Sequence, residues 1–297
     1  MAHSVTIEND DVSMEIWPQF GGKITSIVDK ADGHELLFSY PMELPEGPRY
    51  DVSYSDIWHA GWDECLPAIA KSKYVGHPYD GVSVPDHGEL WGIPTTASPT
   101  KDGITCVWNG LRFGYRLTRK LSLEGPTILA DYTLVNLAPF EFRFVWSMHA
   151  LLSLTHPVQL ELSDSPLFRL SHDHLGTEVQ MPFDWPMANP GEDLSRPYDA
   201  PARRGWKAFS TDPIESPFVV RYPTRKRSLA IQYTAEQSPS AYWGVWINTG
   251  GSSGHRHFSV EPTTGRFDQI DRAIRDGSAA RLEPMGHLAW QVRVTLS

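Results

Sequence analysis

The clearest pattern in the chain runs from Leu111 to Glu124, where apolar and polar residues alternate at the period of a strand. Phe113, Tyr115, Leu117, Leu121 and Leu123 share one face, while Arg116, Thr118, Lys120, Ser122 and Glu124 share the other. After a Gly125-Pro126 turn, Ile128, Ala130, Tyr132 and Leu134 repeat the pattern. A third apolar stripe follows with Phe140, Phe142, Phe144, Trp146 and Met148. The three read as consecutive antiparallel strands, each with one face in a core. Glu141, Arg143, Val145, Ser147 and His149 lie opposite the third stripe, so His149 leaves its strand on the polar side.

Shorter strands are expected on both sides of this block. Val5 to Ile7, Val12 to Trp17 and Lys23 to Asp29 precede it, with an Asp32-Gly33 hairpin signal before His34 to Phe38. Phe218 to Tyr222, Leu229 to Thr234 and Tyr242 to Asn248 follow it, and Leu288 to Leu296 alternates cleanly. In the segment 257–261, His257, Ser259 and Glu261 fall on one face, with Phe258 and Val260 on the other. Pro262 has no N–H for a ladder and is expected to end that strand, leaving Glu261 at the last position of a rigid element. Phe267, Ile270 and Ile274 recur at helical spacing, and only Phe267 to Arg275 reads as helix. Periodicity is lost from Tyr40 to Gly103 and from Asp164 to Phe209, stretches too long for ordinary connections. No linker or composition shift demands a boundary. The expected fold is all-β, one large antiparallel sandwich over residues 1–297.

Composition narrows the function. The 36 acidic residues against 26 basic ones give a formal net charge of −10, which argues against a nucleic-acid partner. No apolar run approaches the ~18 residues of a membrane helix, and the first ten residues carry no signal-like apolar region. Cys65 and Cys106 make no disulfide framework and read as reduced thiols, so a cytoplasmic location is expected. The 11 Trp and 12 His exceed the needs of a core, and many fall in loops. Indole rings pack well on the C–H faces of a pyranose, so aromatic-rich loops on a β scaffold point to a sugar site.

Candidate chemistry starts from Glu261 and His149, a carboxylate and an imidazole on polar strand faces that oppose each other if both strands line one concave surface. His87, in the turn-rich segment VPDHGELWG, adds a third group, with Glu89 and Trp91 beside it. Asp63 and Glu64 either bind sugar hydroxyls or are simply solvated, and Asp184 in MPFDWP is either a turn residue or a hydroxyl ligand. Two alternating pairs, His172-Asp173-His174 and His255-Arg256-His257, have a spacing that can chelate a metal on a strand. No third ligand is indicated for either, and no metal is expected. There is no GxSxG elbow and no Gly-rich phosphate loop.

Several segments, in order, resemble the aldose 1-epimerase (galactose mutarotase-like) family. WSMHALLSL, Trp146 to Leu154, is similar to the family strand that ends in a catalytic His, and VEPTTGRFDQID to its Glu-Pro segment. GWDECLPAI with VPDHGELWG resembles the loops that line its sugar site. FGGKITSIVDKADGHELLF resembles its opening hairpin, and LEPMGHLAWQVRV its closing strand. The resemblance implies the galactose mutarotase-like supersandwich and a mutarotase that exchanges the anomers of a free or phosphorylated sugar without a cofactor. By that resemblance His149 is the acid and Glu261 the base, His87 binds a sugar oxygen, and Trp62 and Trp91 form apolar walls. The chain departs from the family pattern at Ala150-Leu151-Leu152, Glu89-Leu90-Trp91 and Lys23, positions that bear on substrate recognition more than on acid–base chemistry. Two rival readings are a sugar-binding protein without catalysis and a glycosidic-bond lyase or hydrolase. A hydrolase usually needs two opposed carboxylates.

Overall fold

The protein is described here by a computed structural model covering residues 3–41, 47, 49–163, 165–173, 181–189, 191–236 and 239–297. Two large sheets dominate. Among the described residues the larger runs in the spatial order Val5–Glu8, Val12–Trp17, Lys23–Asp29, Trp62–Cys65, Ser147–Ala150, Arg256–Thr263, Tyr242–Thr249, Gly205–Ser210, Leu167–Asp173, Phe183–Asp184. The smaller runs Gln159–Glu161, Phe218–Tyr222, Arg227–Thr234, His287–Leu296, Thr127–Asn136, Tyr115–Glu124, Gly103–Asn109, Thr96–Thr100. Neighbouring strands within each are antiparallel. A single α-helix, Ile270–Asp276, stands out among the described residues and closes on Gly277 in the left-handed conformation. This is a large antiparallel β-sandwich.

Alternation explains the smaller sheet. Leu117, Leu121, Ile128, Ala130, Tyr132, Val292 and Val294 are almost wholly buried, while Arg116, Thr118, Lys120, Asp131, Gln291 and Arg293 on the opposite face stay open or partly open. Each strand therefore removes one apolar face from water, at about 25 cal/mol per Å² of apolar surface. The third stripe behaves differently. Phe142–Phe144 pairs with Ala280–Leu282, and Ser147–Ala150 enters the larger sheet, so neither pairs with Thr127–Asn136. The partner of Thr127–Asn136 is His287–Leu296 instead. An apolar stripe fixes which side is buried, not which strand lies alongside, and here the chain crosses between sheets while facing one core throughout.

The unpatterned stretches hold strands as well. Trp62–Cys65 and Gly205–Ser210 are buried at every position, so no alternation marks them. Pro262 does not end its strand, which continues to Thr263. Its missing N–H is tolerated because the ladder to the strand Ser147–Ala150 is interrupted there. Pairing is seen at Thr263 with Ser147 and resumes at Phe258 with Leu152.

Candidate active site

Three adjacent strands at the middle of the larger sheet set the site. His149 is the register partner of Asp63 on one side. On the other, the pairs Ser147–Thr263 and Leu152–Phe258 keep one register, which puts His149 directly opposite Glu261. Glu261 in turn faces Gly244, and Trp246 faces Lys207 on the next strand. Since the side-chain period is two, Asp63, His149, Glu261 and Lys207 all rise from one face of the sheet. The absence of a side chain at Gly244 makes room: a Cβ there would stand 3.4 Å from Glu261 Oε2 and 3.2 Å from the Phe209 ring.

Two buried lysine–carboxylate pairs flank His149. Lys23 donates to Asp63 Oδ2, which also accepts the Tyr54 hydroxyl at 2.7 Å. Lys207 Nζ donates to Glu261 Oε2 at 2.5 Å and lies 3.9 Å from Asp268 Oδ1. Ser147 Oγ gives Glu261 Oε2 a second, longer bond of 3.3 Å, while Glu261 Oε1 is buried without a partner. Burial, reinforced by the charges of His87, Lys207, Lys23 and His257, holds the His149 pKa well below the ordinary histidine range. Its imidazole is therefore neutral at neutral pH, not the imidazolium expected of a resting acid, and its Nδ1 has no hydrogen-bond partner. His257 is pushed down to about 3, chiefly by burial.

Above this floor lies a cleft of about 270 Å³, walled by Tyr54, His87, His149, Lys207, Trp246 and Asp268 among others. That is close to the lower end of small-ligand pockets, about 300 Å³. His87 sits in the left-handed conformation (φ 56°), held by its N–H on Ile69 O at 2.6 Å and by Asp86 Oδ1, 3.0 Å from Nδ1. Its ring stacks on Tyr54 with centroids 4.1 Å apart and meets His149 edge-on at 4.7 Å.

The structure thus brings His87 and His149 into the cleft wall, with Glu261 beneath, screened by Lys207. The remaining sequence candidates lie elsewhere. Trp62 and Glu64 point to the opposite face of the sheet, into the core between the sheets, where the indole donates to Glu64 Oε1 at 3.0 Å. Glu64 also receives Arg119, Tyr132 and Trp146, so it holds the sheets together and presents nothing to a ligand. Asp63 is on the cleft side but lies under Tyr54 and Lys23. Glu89 is buried and accepts from Tyr50 and from the backbone of Arg112, pinning a loop. Trp91 supports Tyr54 from behind, at 5.1 Å, with its N–H on Asp86 O. Asp184 is exposed on the edge strand paired to Leu167, away from the cleft.

Sequence reasoning missed Lys207, Tyr54, Trp246 and Asp268. Lys207 lies in GWKAFS, where the one available signal is a lysine inside an otherwise apolar run. Among the described residues no group of three or more His, Cys, Asp or Glu side chains is arranged to hold a metal ion. His174 and the side chains of His172 and Asp173 lie outside the described residues. Nor, among those residues, is any helix long and apolar enough to cross a membrane.

No family model and no curated protein matches the chain. Solved structures do. A galactose mutarotase-like protein from Clostridium acetobutylicum superposes with a TM-score of 0.74 at 12% identity, covering 100% of this chain and 95% of the other. One from Lactobacillus casei gives 0.70 at 16% identity, with 99% and 100% covered. An Escherichia coli K12 protein provisionally named an aldose 1-epimerase gives 0.71 at 13%, with 100% and 99% covered. At such identities the likeness is one of architecture, and the chain has the galactose mutarotase-like fold.

Proposed function

We propose that the chain exchanges the anomers of a small sugar, free or phosphorylated, held in this cleft. The observation that carries the reading is the register that sets His149 opposite the Glu261–Lys207 pair on the floor of a monosaccharide-sized cleft. Opening a pyranose needs one proton removed from the anomeric hydroxyl and one delivered to the ring oxygen. A neutral imidazole is fitted to take the first. The second transfer falls to the Glu261–Lys207 side. Rotation about C1–C2 and closure with the roles reversed give the other anomer, and no cofactor enters. Trp246 offers an apolar face for the sugar and His87 a polar one.

The screening of Glu261 by Lys207 favours one rival, a site that binds sugar without exchanging anomers. Exchange NMR on a panel of aldoses and sugar phosphates separates the two. Anomer exchange above the uncatalysed rate for at least one bound sugar supports the isomerase. Binding with only the uncatalysed rate across the panel rejects it.

A further inference from the structure

We propose that Lys207 is the catalytic proton donor to the ring oxygen, with Glu261 acting behind it as a positioning residue. The inference rests on the anomer-exchange reading and names the donor that reading leaves open.

Geometry supplies the first argument. Glu261 is fully buried and does not line the cleft, whereas its partner Lys207 does, so the lysine is the member of the pair that meets the ligand space. An ammonium has three N–H donors. One is used on Glu261 Oε2, and Asp268 Oδ1 at 3.9 Å is beyond hydrogen-bond range, so donor capacity remains toward the cleft. The second argument is charge among the described residues of the cleft wall. His149 is neutral, and the Tyr54 hydroxyl is committed to Asp63. Lys207 is the one Lys or Arg in that wall.

Chemistry supplies the third. Burial works to lower the Lys207 pKa, but Glu261 and Asp268 more than offset it, so the ammonium keeps its proton through neutral pH. Such a donor yields its proton only to an atom becoming strongly basic, as the ring oxygen does when it departs. The C1–O5 bond breaks with its electron pair staying on O5, which takes a proton from Lys207 Nζ. The O1–H proton passes to His149, and the O1–H pair becomes the second C1–O1 bond. The open aldehyde then stands between a neutral amine and an imidazolium, and closure returns both protons.

The test uses Lys207→Arg and Lys207→Ala in the full chain, with thermal unfolding to confirm the fold. Arginine keeps the positive charge against Glu261 but does not give up a proton in a protein. If Lys207 is the donor, Lys207→Arg slows exchange by about 10²-fold or more with KM within a few-fold. Lys207→Ala loses at least as much and is rescued by ethylammonium, 2-hydroxyethylammonium and 2-fluoroethylammonium, faster as the amine becomes more acidic. Exchange by Lys207→Arg within about threefold of wild type overturns the proposal, as does rescue independent of amine acidity. Either result leaves the exchange reading standing as long as the wild type is active. A wild type without exchange on any sugar rejects that reading itself.

Discussion

Glu64 and Glu261 are both buried glutamates paired to a cation, on opposite faces of the same sheet. Glu64 has both oxygens engaged: Trp62, Arg119 and Tyr132 donate to Oε1, and Trp146 donates to Oε2. Glu261 has Lys207 and a long bond from Ser147 on one oxygen, and nothing on the other. A buried charge left partly unanswered is destabilising unless something else completes it. The contrast separates a fully engaged bracket between sheets from a looser pair on the cleft side. Burial and charge alone, which the two share, do not.

Four measurements press on that contrast. The largest effect is expected on the cleft side. His149→Asn should lower anomer exchange by about 10²–10⁴-fold while sugar affinity moves only a few-fold, because the loss falls on the transition state. Exchange at the wild-type rate would remove His149 from the chemistry. Next comes the bracket: Arg119→Met strands Glu64 and should cost about 3–5 kcal/mol in denaturant unfolding, with exchange per folded molecule retained. A variant as stable as wild type would show the bracket to be dispensable.

Third is pH. The folded pKa of His257 is depressed to about 3 from about 6.5, so the unfolded chain takes up the proton first. The associated stability is whole above the unfolded value and is lost as pH falls toward the folded one. Between pH 7 and pH 5 the wild type should lose about 2 kcal/mol more than His257→Asn. Equal losses would contradict the buried neutral imidazole. Exchange should likewise hold steady down through the ordinary histidine range, since His149 stays neutral there. An acid limb with its midpoint near 6.5 would count against that state. The smallest effect is expected at the exposed edge residue: Asp184→Asn should change stability by less than about 0.5 kcal/mol and leave exchange intact. A loss of exchange there would move the site toward the sheet edge.

Much of the frame was legible because its strands bury one face. Tyr115–Glu124, Thr127–Asn136 and His287–Leu296 announce themselves by period two. The placing of His149 and Glu261 on the polar faces of their strands was legible too, and the register sets them on one face of the sheet. Trp62–Cys65 and Gly205–Ser210 were not, because both of their faces are covered and polar residues answer to partners far along the chain. Arg119 is the instructive case. It sits on the apolar face of its strand, where a charge demands a buried counter-ion, and that demand is met by Glu64, assigned by sequence to a sugar site. Pairing at such separation leaves no periodic trace, so Glu64 and Trp62, both candidates for the sugar site by sequence, face the core instead.

The strand His287–Leu296 lies between Thr127–Asn136 and Arg227–Thr234, in the interior of the smaller sheet. A ribosome releases this strand after every other described element of the sandwich. Until it arrives, the hairpin on one side and the strand pair on the other present unpaired edges toward an empty slot. Closure therefore waits on long-range pairings, Thr127 with Thr295 among them, the slow class of contact during folding. The two half-sheets on either side of the slot are therefore the edges that a folding intermediate of this sandwich would expose.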